Sequence, residues 1–309
     1  MAALPRVLVY LTTYNGHAFL AEQLDSLFAQ EDVELTVLAG DDGSTDDTLE
    51  ILESYRKKHP NLHFYQNKEN LGYRLNFMTL IHHELPGEFD YYALADQDDV
   101  WAPKKLAHAC RIAEEYSDVP FLYSSDLTLV DKDLKPLGGV MFGKKWAKVK
   151  NTTRFITSSV TGCTALFNNA LRDLALRYPL DQLVTPHDVV LLRIALATGV
   201  YYFDTDASFI KYRQHGTNQI GQAKGNAVTR FWPILTGKKK VYHSLSAEII
   251  YKTYEAEFRD PKFKKFVWRF GHYRKRFGTY LCVLFSPKYK TVGFPGFFIS
   301  KIAILFRRY

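Results

Sequence analysis

A chain of 309 residues, 47 % hydrophobic and 24 % charged, has room for one large domain with a sizeable core or one domain plus an appendage, and argues against disorder. Its net charge of +7 conceals a division: residues 228–309 hold 18 Lys and Arg against 4 Asp and Glu, whereas residues 1–227 hold 22 against 29. Three scattered cysteines, Cys110, Cys163 and Cys282, form neither a disulfide framework nor a zinc pattern and fit a reducing compartment; Met1–Arg6 lacks signal-peptide architecture.

Val7-Leu8-Val9-Tyr10-Leu11 is a continuous apolar run, as expected of a strand covered on both faces. Phe19, Leu20, Leu24, Leu27 and Phe28 follow at near-helical spacing. Leu35–Ala39 predicts a second strand, Thr48–Tyr55 a second helix, Leu62–Tyr65 a third strand and Leu75–His83 a third helix. The fourth strand is Tyr91–Ala95. A helix from Pro103 through Tyr116 then leads to a strand at Phe121–Tyr123. Residues 130–151 read as a loop, Thr161–Phe167 as another buried segment, and Val189–Thr198 as an amphipathic helix ending at Gly199. This alternation predicts an α/β fold with a mostly parallel sheet flanked by helices.

Ligands of such sheets bind beyond the carboxyl ends of the strands. Three polar clusters fall there: Thr12-Thr13-Tyr14-Asn15, Asp41-Asp42-Gly43-Ser44-Thr45-Asp46 and Asp96-Gln97-Asp98-Asp99. Three carboxylates within four residues repel one another, and a hard divalent cation relieves that repulsion while bridging a diphosphate. A plain polar turn is the alternative. In the second cluster, Asp-Gly makes a turn and Ser44 or Asp46 a helix cap, whereas Asp42 stands where a carboxylate accepts the N3–H of uracil or thymine. Arg74 either offsets diphosphate charge or is an ordinary surface arginine. His187-Asp188 opens a helix; Asp188 serves the helix dipole or acts as a general base, held in orientation by His187. In Tyr212-Arg213-Gln214-His215-Gly216-Thr217-Asn218, a neutral His215 can ligate a metal and Gly216 admits a phosphate, although a lone loop histidine is more often structural.

With these motifs in this order, residues 5–222 resemble family 2 glycosyltransferases of the GT-A (Rossmann-like) fold, and most of all bacterial rhamnosyltransferases that build cell-wall polysaccharides, particularly those of streptococci. The resemblance implies an inverting transfer from a nucleotide sugar, dTDP-β-L-rhamnose, to a polyprenyl-diphosphate-linked saccharide. It implies Asp42 on the base, Thr12 and Tyr14 along the nucleoside, and Arg74 near the diphosphate. Ribose contact and Mn²⁺ or Mg²⁺ ligation are shared among Asp96, Asp98 and Asp99, with Asp98, Asp99 and His215 nearest the metal. Asp188 falls on the catalytic base, with Trp101 and His187 toward the acceptor; an acidic residue is common in place of His187. A UDP-hexose donor and a non-catalytic membrane-bound scaffold stand as alternatives.

The expected organisation is a catalytic domain over residues 1–227 and a basic, aromatic-rich helical region over residues 228–309, which holds 20 of the 46 aromatic residues. There Phe263, Phe266, Val267, Phe270, Tyr273, Phe277, Tyr280, Leu281 and Leu284 recur at three- and four-residue steps with Lys and Arg between them. That pattern suits a helix lying in a membrane interface, or one packed on the catalytic domain or a dimer partner. The run 292–306 is interrupted by Gly293, Pro295, Gly296 and Lys301 and falls short of a spanning helix. The expectation is a peripheral enzyme at the cytoplasmic face of the membrane, open to homodimerisation; nothing in residues 1–227 supports nucleic-acid binding.

Overall fold

A computed structural model describes residues 3–157, 160–215, 242–290 and 294–307, with backbone alone for 294–299. Gly216–Asn218, the expected domain boundary at Val228 and the Lys238–Lys240 run lie outside these residues. Seven strands form the main sheet in the order β10-β6-β9-β4-β1-β2-β3. They are β1 (Arg6–Thr13), β2 (Glu34–Asp41), β3 (Leu62–Gln66), β4 (Tyr91–Ala95), β6 (Phe121–Ser125), β9 (Leu166–Asn168) and β10 (Val200–Asp204). All pairings are parallel except those of β9, which runs antiparallel between β4 and β6. A second sheet, β5-β11-β7-β8, joins β5 (Val100–Trp101), β7 (Thr128–Val130), β8 (Pro136–Val140) and β11 (Ile210–Arg213).

Side chains alternate across a strand, so the main sheet feeds two cores. Leu8, Tyr10, Leu38, Tyr92, Leu94 and Leu122 enter one cluster; Val7, Val9, Leu11, Val37, Ala39, Ala93, Ala95 and Tyr123 enter the other. The second core is closed by α1 (Leu20–Phe28), α2 (Thr48–Lys58) and α4 (Lys105–Glu114). The first is closed by α3 (Gly72–His82), α5 (Asn151–Thr157), α6 (Asn169–Ala175) and α7 (His187–Thr198), together with helices of the basic tail. Register aligns Thr13 with Asp41 and Leu11 with Ala95, which brings three polar clusters to one edge.

Three expectations change. Residues 130–151 are not a bare loop: β8 and a 3₁₀ turn at Lys144–Lys148 lie within them. Helix α7 is buried on every side rather than amphipathic, because the tail covers what would be its water face. There the Arg193 guanidinium meets the His243 ring at 2.9 Å and donates to the Phe155 carbonyl, while the Arg259 amide donates to Ala197.

The tail folds as α8 (His243–Thr253), α9 (Pro261–His272), α10 (Phe277–Phe285) and α11 (Phe294–Leu305), and the single amphipathic stripe divides between helices. Phe263, Phe266, Val267, Phe270 and Tyr273 are at most 7 % exposed and join the sheet-facing core, so this half packs inward instead of meeting a membrane. Phe277 and Leu281 stay exposed. Among the described residues no helix is long and apolar enough to cross a membrane. Phe270→Ala should therefore lower the stability of the whole fold by about 3–5 kcal/mol, as truncation of a core aromatic does. A chemical-denaturation curve coincident with the parent would show that α9 is not part of the core.

Candidate active site

The loops after β1 and β2 are laced together by their own polar side chains. Thr13 donates its hydroxyl to Asp41, whose carboxylate also accepts the amides of Gly43 and Ser44 and the Gln66 side chain. The Asn15 amide donates to the Ser44 hydroxyl oxygen, and the Thr45 amide donates to the Asn15 side chain. Asn15 sits at φ +47°, a left-handed conformation asparagine tolerates. Asp41 and Ser44 thus build the turn, as do Asp46 and Thr48 through their side-chain bond. Gln97, from the acidic quartet, brackets Tyr14 by accepting its amide and donating to its carbonyl. A side chain at residue 16 would meet Gln97 Oε1 at 2.5 Å, which explains the glycine there.

These contacts leave Tyr14 48 % exposed and Thr12 nearly buried at the same edge. Asp42 is buried and accepts the Leu71 and Gly72 amides, each at 2.8 Å, and the Asn67 side chain at 2.9 Å. Three of about four acceptor positions on the carboxylate are filled. Asp42 fastens the 67–72 segment and keeps room for about one further donor. Arg74, in the first turn of α3, is exposed.

The acidic quartet turns between β4 and β5 and sends its side chains to different places. Asp98 meets His215 Nε2 at 2.7 Å, with both side chains 15 % exposed. Asp99 is fully buried; Oδ1 accepts the Arg213 amide at 3.3 Å, Oδ2 has no hydrogen-bond partner, and the Cys163 thiol lies close by. Burial, reinforced by Asp98 and Asp96, pushes the Asp99 carboxyl well above the usual carboxylate range. Asp96 keeps a partly accessible surface, yet burial of the carboxyl, with Asp98 and Asp188 adding their charges, pushes it up to about 7. Ligand atoms of Asp96, Asp99 and Cys163 lie within 4.8 Å of one another.

Trp101 corrects an expectation. It is 2 % exposed inside the second core, with the Lys105 ammonium nitrogen 3.4 Å from its ring centroid. An indole so placed has no surface to offer an acceptor. Pairing of β5 with β11, Trp101 opposite Ile210, is what draws it inward.

Asp188 sits 5 % exposed in the first turn of α7, accepting the Val189 amide at 2.8 Å and a further bond from the Gly162 amide. Burial pushes its carboxyl up to about 6, with those amides pulling the other way. Its charge reaches Asp96 and Tyr73, so it shares an electrostatic neighbourhood with the quartet. His187 does not hold it. That ring is buried and stacked on Phe77 at 3.8 Å, neither nitrogen has a hydrogen-bond partner, and burial lowers its pKa to about 3. A β-carbon on Gly162 would come within 2.7 Å of His187 Nε2, so the neutral imidazole wedges α7 against the 162–164 turn.

The edge thus gathers the Asp98–His215 pair, the Asp96, Asp99 and Cys163 cluster, and the buried Asp188 carboxyl within charge reach of Asp96. Oxygen donors with one imidazole suit Mg²⁺ or Mn²⁺, and the buried, unpartnered Asp99 Oδ2 fits that use; the closely grouped ligand atoms are those of Asp96, Asp99 and Cys163, with Asp98 and His215 outside that group.

Several contributors escape a linear reading. Arg213, 2 % exposed, donates to the Asp98 and Lys132 carbonyls, pairs with Glu22 and lies over Phe19. It thereby ties the loop of His215 to that of Asp98 and to α1. Its place one residue before Gln214-His215 in a dense polar run was its only signal in the sequence. Cys163 and Lys105 gave none, since neither belongs to a polar cluster at a strand end; burial lowers the Lys105 pKa to about 7.

A family model described as glycosyl transferase family 2 matches residues 8–173. A relative named dTDP-rhamnosyl transferase RfbG, from Shigella flexneri, is 27 % identical over 230 residues, 68 % of this chain and 73 % of that protein. The crystal structure of Staphylococcus aureus TarS residues 1–349 in complex with UDP-GlcNAc has a TM-score of 0.57 at 20 % identity, covering 89 % of this chain and 75 % of that one. A mannosyltransferase from Pyrobaculum calidifontis in complex with GDP-Man and Mn²⁺ has a TM-score of 0.55 at 19 % identity, covering 87 % and 70 %. The sheet order, the polar strand ends and the matched family model agree: this chain is a GT-A-fold member of glycosyl transferase family 2.

Proposed function

We propose that the protein is an inverting rhamnosyltransferase that moves L-rhamnose from dTDP-β-L-rhamnose to a polyprenyl-diphosphate-linked saccharide, as a peripheral enzyme at the cytoplasmic face of the membrane in cell-wall polysaccharide synthesis. The observation that carries the reaction is Asp188, buried at the start of α7 within charge reach of Asp96, a carboxyl that also feels Asp98. The 27 % relative named as a dTDP-rhamnosyl transferase supports the donor. A UDP-hexose donor is the second reading, favoured by 36 % identity over 114 residues to the N-acetylglucosaminyltransferase TarS. Turnover across a panel of nucleotide sugars with a synthetic lipid-linked acceptor separates the two.

Asp188 takes the proton of the acceptor hydroxyl. That oxygen attacks the anomeric carbon from the face opposite the leaving group, and the bond to the nucleoside diphosphate breaks with inversion. Thr12, Tyr14 and the remaining acceptor position of Asp42 hold the nucleoside, Asp96 the ribose, and Arg74 meets the diphosphate. Asp98, Asp99 and His215 would hold Mn²⁺ or Mg²⁺, which when bound supplies Lewis-acid neutralisation of the leaving diphosphate.

Asp188→Asn should reduce turnover by about a thousandfold or more while donor affinity stays within about twofold. Equal loss of both, measured by titration and single-turnover assay, would count against the base. The free enzyme's kcat/KM should fall as pH drops through about 6, since protonated Asp188 cannot accept a proton. The sign for stability is opposite: a carboxyl with a raised folded pKa weakens the fold above that pKa and relieves it below. Asp188→Asn should therefore keep or raise the melting temperature at neutral pH. Asp98→Ala should weaken donor binding in Mn²⁺ by about tenfold or more and blunt the effect of chelator; parent turnover indifferent to EDTA would remove the metal from the scheme.

A further inference from the structure

The reaction makes no use of the outer side of α10 and α11. Phe277, Leu281 and Phe285 recur every four residues, which places them on one side of α10, and they are 70 %, 36 % and 77 % exposed. Gly278 and Cys282 beside them are exposed as well. Ile302, Leu305 and Phe306, at the end of α11, add further exposed apolar surface.

These are not frayed ends. The Tyr280 hydroxyl donates to the Leu305 carbonyl at 3.1 Å, and Lys301 donates its ammonium to the Val283 and Ser286 carbonyls. Arg307 donates to the Arg274 carbonyl and lies over the Tyr280 ring. Val283, Ala303 and Ile304 are buried on the inner side. The helices form a packed pair with an apolar exterior, where a water-facing pair carries polar residues.

The charge around this exterior has one sign. From Pro261 to the last residue the chain has 12 Lys and Arg and no Asp or Glu. Arg274 and Arg276 precede α10, with Lys275 between them paired to Glu248, and the exposed Lys288 and Lys290 follow it. Apolar side chains ringed by cations match the boundary of an anionic bilayer, where acyl chains take the former and headgroups the latter. A second copy of this chain matches poorly, since face-to-face pairing would bring two sets of like charges together. Nucleic acid would leave Leu281, Ile302 and Leu305 without a stacking partner.

We propose that the outer face of α10 and α11 docks this protein onto anionic lipid, with Phe277, Leu281, Phe285 and Phe306 entering the headgroup–acyl boundary. This deepens the lipid-linked-acceptor reading and rests on it only for its purpose. The test is co-sedimentation of the full chain with phosphatidylcholine vesicles, with or without phosphatidylglycerol, beside donor hydrolysis in solution. Phosphatidylglycerol vesicles should retain the protein, phosphatidylcholine alone should not, and Phe277→Ser with Phe285→Ser should cut retention about tenfold or more. Lys288→Glu with Lys290→Glu should weaken retention through charge alone, and both variants should keep parental donor hydrolysis. Parental retention of both variants overturns the proposal. So does equal retention by both vesicle types, a dimer abolished by the phenylalanine variant without vesicle binding, or preferential capture by duplex RNA. Docking without donor hydrolysis by the parent protein would defeat the catalytic reading and leave the docking surface standing.

Discussion

Asp96 lies within electrostatic reach of Asp98, Asp99 and Asp188 at the carboxyl edge of the sheet, and the fold has to tolerate that crowding. Ionised carboxylates removed from water and set side by side are costly unless paired or protonated. Three responses coexist. Asp98 takes His215 as a partner, Asp188 accepts backbone amides at a helix start, and Asp96 and Asp99 shift toward their neutral forms. Such crowding is relieved by positive charge, whether a bound proton or a cation.

Holding the crowd in place depends on ties between distant segments. Gln97 fixes the β1 loop through both the oxygen and the nitrogen of its side-chain amide, which ties the quartet to the Tyr14 loop. Arg213 joins Glu22, Asp98 and Lys132 from a single buried guanidinium, a use for which its rigid fork suits it better than lysine. His187 contributes by volume, wedged between Phe77 and the 162–164 turn, and so sets where Asp188 begins its helix.

The basic tail takes part in this support. It meets α7 at Arg193 and Ala197, and a helix expected to have a water face is buried throughout. Phe266 stacks on Tyr289 at 4.6 Å and Phe155 meets Phe263 edge-on at 5.7 Å, so aromatic packing links the tail to α5 beneath it. Its outer helices are left free of that duty. The site and the apolar exterior are thus two ends of one packed region.

Much of this was legible in the chain itself. Short, mostly apolar runs located β1, β2, β3, β4 and β6, with β1 and β6 buried along nearly their whole length and β3 half-exposed at the sheet edge, and the polar clusters after three of them meet at one edge. The motif order carried the family; the roles given to the quartet, Asp188 and His215 belong to the proposed reaction. What the linear chain left open was decided by partners distant in sequence. Periodicity states that Phe263–Leu284 has an apolar side but not what covers it, and only packing divided the stripe between core and exterior. The two- and three-residue strands β5, β7 and β9 are too short to leave a pattern, and β5 pairing drew Trp101 out of the site. Arg213, Cys163 and the unpaired His187 acquire their roles only where chain segments tens of residues or more apart converge, because hydrogen bonding and desolvation are properties of neighbours in space.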